Sequence, residues 1–415
     1  MSSIAYLVPE FPLLSESFVA REVALLNRRM PVYVISLGRP GDADAAMLAE
    51  LEREGVKVEY LLRRFPLRLL RLAAGFIVRR PTQSARIVRE SLAFPRIQGS
   101  SAFLRALKAM ACAQLVSSRP IAHLHGHWTL PTDVAWICSR ATGVSFSFSA
   151  HAHDIYEDGA VYADADSRFT MGQRIAAAAF VATCTRRGFD HLTREAGSSA
   201  EKVNLIYHGV ELDATVREPD AKSGIPRGGT QIVSVGRLVE YKGFDRLVSC
   251  CSRLRDDGVR FECQIVGDGS QRDRLAGLIE HAGIATSVAL AGSKPRLDVL
   301  ELLKRADIFV FCGRSEIGQY GLPNVLLEAM ACGAAVVTTW TPEVDELIEH
   351  GDNGLVARED EELYSALRHL VTSPELRAEL ARRGRHTIEK RFDADAHVER
   401  LVHLLERASQ RDGVP

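Results

Sequence analysis

The chain has 415 residues, too many for one ordinary core, so two domains are expected. Its 46% apolar and 25% charged content excludes a disordered or fibrous chain, and 52 basic against 53 acidic residues exclude a protein whose main work is coating nucleic acid. The opening MSSIAYLVPEFP has no basic segment leading into a long apolar one, and no run reaches about 18 uncharged apolar residues. A cytoplasmic protein is expected, at most peripheral on the inner face of the plasma membrane. Eight cysteines (112, 138, 184, 250, 251, 263, 312 and 332) show neither a Cys-x-x-Cys pair nor zinc-type spacing, and read as reduced, mostly buried thiols.

In chain order, the apolar runs IAYLV (4–8) and VYVISL (32–37) flank a segment with helical spacing at 16–29, a β-α-β start. The stretch 63–89 carries eight arginines and no acid among Leu, Phe, Ile and Val. It predicts either a helix pair packed on the sheet or an attachment to an anionic membrane surface. HLHGHW (123–128), a helix near 131–142, the run 144–156, FVATCT (180–185) and VNLIYHGVEL (203–212) follow. Strands alternating with helices predict a parallel sheet covered on both faces.

Residues 211–229, ELDATVREPDAKSGIPRGG, offer little to bury and read as a linker. The pattern then restarts with QIVSVGR, FECQIVGDG, VALAG, DIFVFCG and AVVTT, each followed or preceded by a helical segment. The expected organisation is a Rossmann-like domain at 1–212, a linker at 213–229 and a second Rossmann-like domain at 230–392. Ligands of such sheets sit at the carboxyl ends of the strands, so the facing loops are expected to line an interdomain cleft.

Several residues at those strand ends are suited to chemistry. Arg237 and Lys242 in SVGRLVEYKGF follow a strand, with Gly236 and Gly243 bringing backbone close; two cations there suit a diphosphate. The glycines of GDG, Gly267 and Gly269, fit nucleotide binding and equally any β-α turn. In GLPNVLLEAMACG, Pro323 suits the first helical position and Asn324 the same turn, beside Gly321, so the helix start is a ready anion site. Glu328 lies deeper among Leu326, Leu327, Ala329 and Met330, and a buried carboxylate needs donors: sugar hydroxyls, or a structural arginine.

In the first half, SAHAHDIY sets His151, His153 and Asp154 directly after an apolar strand. His123, His125 and His127 alternate along a strand and share one face. They resemble a metal array, but no carboxylate accompanies them, and no metal is expected.

The run from SVGRLVEYKGFDRLV through IVGDGSQRDRLAGL, GSKPRLDVLELLKRADIFV and YGLPNVLLEAMACGAAVVTT to EVDELIEHGDNGLV resembles the donor-binding half of retaining glycosyltransferases of family 4. PEFPLLSESFVAREV, HGHW and FSFSAHAHDIY resemble the subgroup that builds bacterial exopolysaccharides, including colanic-acid-type enzymes. The resemblance implies an α/β protein of the GT-B fold, with two Rossmann-like domains facing across a cleft and a C-terminal helix within 393–415 that crosses back to the first. By position it implies that Arg237 and Lys242 bind the diphosphate of a nucleotide-sugar, with backbone at Gly321, Leu322, Pro323, Asn324 and Val325 in support. Glu328 matches the second acid of the family's Glu-x7-Glu motif, which holds the ribose. His151 matches the histidine that contacts the transferred sugar, and the loop at Ser15 and Glu16, with His127 and Asp154, lies on the acceptor side. The position of the first acid, eight residues before Glu328, holds Tyr320, and the nearest upstream acid is Glu316.

The implied reaction moves a hexose from a nucleotide diphosphate-sugar to an oligosaccharide or a polyprenyl-diphosphate-linked acceptor, with retention and without a metal or other cofactor. A nucleotide-sugar epimerase of the same architecture and a non-catalytic nucleotide-sugar-binding subunit are the alternatives. An NAD-dependent enzyme is disfavoured because residues 8–13, after the first strand, read VPEFPL in place of Gly-x-Gly-x-x-Gly.

Overall fold

The computed structural model describes residues 3–13, 16–38, 45–62, 66–94, 101–156, 170–216, 229–314 and 321–410, without the side chains of Ala46, His153 and Tyr156. The chain divides into two compact units, Met1–His208 with Asp395–Pro415, and Gly209–Ala394.

The first unit is built on a seven-stranded sheet of β1 (Ser3–Val8), β2 (Val32–Ser36), β3 (Lys57–Tyr60), β4 (Ile121–His127), β5 (Ser145–Ala150), β6 (Val181–Thr183) and β7 (Val203–Leu205), in the order 3-2-1-4-5-6-7. Every pairing is parallel. Strands β1 and β2 are apolar almost throughout, as strands buried on both faces are, and no residue of β2 is left in water. Strand order reverses between β1 and β4, the switch point at which such sheets open a crevice. Glu22, on the helix Ser17–Asn27 that follows β1, and His127, the last residue of β4, belong to the elements that meet there.

The closing helix Ala394–Gln410 joins this unit from Asp395 onward. Ser145 Oγ donates to the Ala408 carbonyl at 3.1 Å, the rings of Tyr207 and His397 meet edge to face, and Arg29 pairs with Asp395.

The second unit holds a six-stranded parallel sheet of β8 (Thr230–Val235), β9 (Phe261–Val266), β10 (Val288–Gly292), β11 (Ile308–Phe311), β12 (Ala335–Thr339) and β13 (Leu355–Ala357), in the order 10-9-8-11-12-13. Its switch point lies between β8 and β11. A separate apolar core fills this unit, built on Ile232, Leu247, Ile265, Ile308, Val337 and Leu367. None of the eight cysteines is in a disulfide; seven are buried, and Cys184 is the partly exposed one.

The arginine-rich stretch forms the helices Leu67–Arg79 and Pro81–Ala93. Leu69, Ala73, Phe76 and Ile87 pack into the core, while Leu67, Val78 and Leu92 stand 72%, 82% and 70% exposed beside exposed Arg71, Arg79 and Arg86. Arg63 and Arg64, most of the linker stretch, Ser15, Glu316 and Tyr320 lie outside the described residues.

Candidate active site

In the second unit, β8 ends at Val235 and delivers Arg237 and the short turn Glu240–Lys242 to the switch point. The Lys242 ammonium lies 5.3 Å from the ring centre of Phe311, the last residue of β11, and 5.3 Å from that of Tyr241. Arg237 Nη2 donates to the Tyr241 hydroxyl at 2.6 Å, so the tyrosine spaces the two cations. Burial first, and the Arg237 charge second, lower the Lys242 pKa to about 8. Burial and a second positive charge both disfavour the charged lysine, and an anion bound beside it would favour that form.

Three glycines are fixed by close approach at this point. Gly243 has φ +66°, and a Cβ there would lie 2.0 Å from the Cys312 carbonyl oxygen. At Gly267 a Cβ would lie 1.9 Å from the Gly236 oxygen, and Gly269 similarly abuts Leu238. The Gly-Asp-Gly turn therefore first serves to seat the β9 loop against the β8 loop, which is reason enough for both glycines.

The helix Asn324–Ala331 begins one residue later than the sequence predicts. Pro323 is its N-cap, in extended conformation and without a side-chain bond, and Asn324 is the first helical residue. The Pro323 carbonyl accepts from the N–H groups of Leu326 and Leu327, while Asn324 and Val325 have no earlier turn to receive theirs. Gly321 and Leu322 lead into this start, and the Asn324 Oδ1 atom is buried without a hydrogen-bond partner.

Glu328 is 7% exposed and accepts from Arg296 Nε at 3.1 Å; Arg296 Nη1 also lies 3.7 Å from Glu211. The structural arginine weighed from the sequence is thus present, and it comes from the helix Arg296–Arg305.

In the first unit, His123, His125 and His127 all lie on one face of β4, fully buried, opposite Ser145, Ser147 and Ser149 of β5 in register. His123 Nδ1 and Nε2 are each 2.7 Å from Ser145 and Ser147 Oγ; His125 Nδ1 and Nε2 are 2.7 and 3.0 Å from Ser147 and Ser149 Oγ. The Ala408 carbonyl can only accept, so Ser145 donates to it and each imidazole carries its proton on Nδ1. Both rings are then neutral. Burial accordingly holds the His125 pKa well below its usual value.

His127 ends the ladder with a different set of partners. Its Nδ1 is 3.1 Å from His151 Nε2, and its Nε2 is 3.3 Å from Glu22 Oε1, which also accepts from the Tyr6 hydroxyl at 2.8 Å. Burial alone would raise the Glu22 pKa, but the His127 bond and the surrounding imidazoles outweigh it and bring it to about 2. An ionised Glu22 orients His127 with Nε2–H toward it, so Nδ1 accepts from His151 Nε2–H. The remaining lone pair of His151 is on Nδ1.

Around His151 the rings of Trp128, Phe18 and His208 stand at 4.7, 5.4 and 5.6 Å between centres. Trp128 has φ +64°, unusual for a bulky residue and a mark of a strained, over-determined position. Asp154 uses both carboxylate oxygens locally, Oδ1 on the N–H and hydroxyl of Thr129 and Oδ2 on the His151 N–H. It clamps the His151 loop to the start of the helix Thr129–Thr142. Glu16 is the N-cap residue of the helix Ser17–Asn27 and caps it with no side-chain bond.

Glu22, Cys184 and His208 escape the sequence reading. Glu22 is one acid within an amphipathic helical pattern, and Cys184 and His208 sit in runs whose period points only to strands. Among the described residues, two groups offer donor atoms within 4.8 Å of one another, as a metal requires: His151, Cys184 and His208, and Glu22, His125 and His127.

The family described as "Glycosyl transferases group 1" matches residues 216–387. The second unit carries a group 1 glycosyl transferase domain. WcaL of Escherichia coli (strain K12), which bears a colanic acid biosynthesis glycosyltransferase name, is 31% identical over 51% of this chain and 52% of its own length. LpsE of Rhizobium meliloti, a lipopolysaccharide core biosynthesis glycosyltransferase, is 33% identical over 54% of this chain and 63% of its own. The chain thus spans between half and two thirds of the length of these curated relatives. Alr3699/HepE of Anabaena, solved with UDP and glucose, aligns over 98% of this chain and 100% of its own with a TM-score of 0.69 at 17% identity. That likeness shows the fold, two parallel α/β sheets of the GT-B type. The switch-point cations, the turns bearing Gly236 and Gly267, and the helix start after Pro323 all fall within the matched group 1 domain.

Proposed function

We propose that the protein is a retaining glycosyltransferase that moves a hexose from a nucleotide diphosphate-sugar to an oligosaccharide or lipid-linked acceptor in exopolysaccharide assembly. The observation that carries this reading is the pair Arg237 and Lys242, gathered around Tyr241 at the β8 switch point of a group 1 domain. Leaving-group departure from a nucleotide-sugar places charge on a diphosphate, and two cations with the helix start at Asn324 stabilise it there. The acceptor hydroxyl attacks from the leaving-group side and passes its proton to the departing phosphate oxygen, so the residues assigned here include no carboxylate nucleophile.

In this reading Glu328, steadied by Arg296, accepts from the ribose hydroxyls, and Gly321, Leu322 and Val325 lend backbone to the phosphates. His151 contacts the transferred sugar through the lone pair that Glu22 and His127 leave on Nδ1. His127 and Asp154 hold that loop, and Glu16 belongs to the acceptor side. The exposed Leu67, Val78, Leu92 and Phe103 with Arg71 and Arg86 attach the first unit to an anionic membrane that carries the acceptor.

Arg237→Ala and Lys242→Ala are expected to abolish transfer from a nucleotide-sugar panel while leaving the unfolding temperature unchanged. Full activity in both folded variants contradicts the reading. Product formed from donor alone favours the epimerase instead.

A further inference from the structure

His151, Cys184 and His208 follow the carboxyl ends of three adjacent strands, β5, β6 and β7. The parallel register sets them side by side, and one donor atom of each lies within 4.8 Å of the other two. Between them is a void of about 10 Å3, lined also by Glu22, Thr183 and Ile206. That volume suits one water or one metal ion and no larger ligand. His208 Nδ1 is buried without a hydrogen-bond partner, which costs about 1–3 kcal/mol unless something meets it.

The surroundings favour an ion. Metal-binding histidines are characteristically held by a second hydrogen bond that ends on a carboxylate. His151 has a relayed form of this support: its Nε2 meets His127 Nδ1 at 3.1 Å, and His127 Nε2 lies 3.3 Å from Glu22 Oε1, an ion-pair distance and not a well-aligned hydrogen bond. The other donor group offers no such opening, because both nitrogens of His125 are engaged by Ser147 and Ser149.

We propose that His151, Cys184 and His208 form a binding site for one soft divalent transition ion, zinc being the expected occupant. Two imidazoles and a thiolate select zinc over magnesium or calcium, which require oxygen ligands, and leave a fourth position open to water. As the sulfur–zinc bond forms, the Cys184 thiol gives its proton to solvent. The ion takes the His151 lone pair, so zinc and a sugar hydroxyl compete for it, and zinc restrains the enzyme. The site itself does not depend on the transferase reading.

The test is titration of the full chain, stripped with chelator, with Co2+ alone. One equivalent is expected to give a thiolate-to-cobalt charge-transfer band together with intense visible bands of four-coordinate cobalt. Cys184→Ser, nearly isosteric, loses the charge-transfer band; His208→Ala loses the four-coordinate spectrum; Glu22→Gln binds about 10–100-fold more weakly. Absence of the band in folded wild type means that the void holds a water only, and a band that persists in Cys184→Ser assigns it to another cysteine. Either result overturns the proposal. Neither bears on sugar transfer, which is measured without added metal.

Discussion

At the scale of single residues, Lys242 is the most informative. Its pKa of about 8 means that it is charged below that pH and neutral above it. A bound diphosphate prefers the charged form, so nucleoside diphosphate affinity is expected to fall as pH rises through about 8 while proton uptake accompanies binding. Lys242→Arg is expected to remove that dependence, since arginine stays charged. A calorimetric pH series that is flat in the wild type, or equally steep in the variant, contradicts this. Glu328 shows what the sequence conveys at this scale. A lone acid among Leu326, Leu327 and Met330 signals a partner, but not that Arg296, 32 residues earlier, supplies one. Such pairing is set by tertiary packing, which leaves no periodic trace.

At the scale of elements, the β4–β5 pair is a polar seam inside an apolar sheet. The period-two histidines of HLHGH read as one face of a strand, so the ladder was half legible; the serines of SFSFS opposite them and the register were not, because nothing local aligns His125 with Ser147. Ser147→Ala would leave His123 Nε2 and His125 Nδ1 without partners at about 1–3 kcal/mol each. A urea midpoint that matches wild type sinks this account of the seam.

The same unit is expected to be acid-sensitive. His208 is lowered to about 3, chiefly by burial, while the unfolded chain binds that proton near 6.5. The neutral folded form is therefore penalised progressively as pH falls below about 6.5, by up to ~1.4 kcal/mol per pH unit for each such histidine. Glu22 adds a loss of the same sign between its ordinary value of 4.5 and about 2. Denaturant unfolding at pH 7.5 and 5.5 checks the sign. The edge strands β3 and β13, KVEY and LVA, went unread because a short strand with one buried face carries too few apolar residues to stand out.

At the scale of the molecule, the alternation of apolar runs and helical segments was enough to read two parallel α/β units, since strands buried on both faces announce themselves. What composition concealed was the exposed apolar surface of the arginine-rich helices, which shares its pattern with an ordinary packed helix. Leu67→Glu with Leu92→Glu is expected to release the protein from anionic vesicles without altering binding of a nucleotide-sugar, and unchanged sedimentation with such vesicles removes the membrane assignment.

The most direct test of the central claim is calorimetric titration of the full chain with UDP-, GDP- and ADP-sugars, alongside the Arg237→Ala/Lys242→Ala double variant. One-to-one binding of at least one donor by the wild type is expected, with its loss in the folded double variant. No binding across the panel, or equal binding by both proteins, contradicts it.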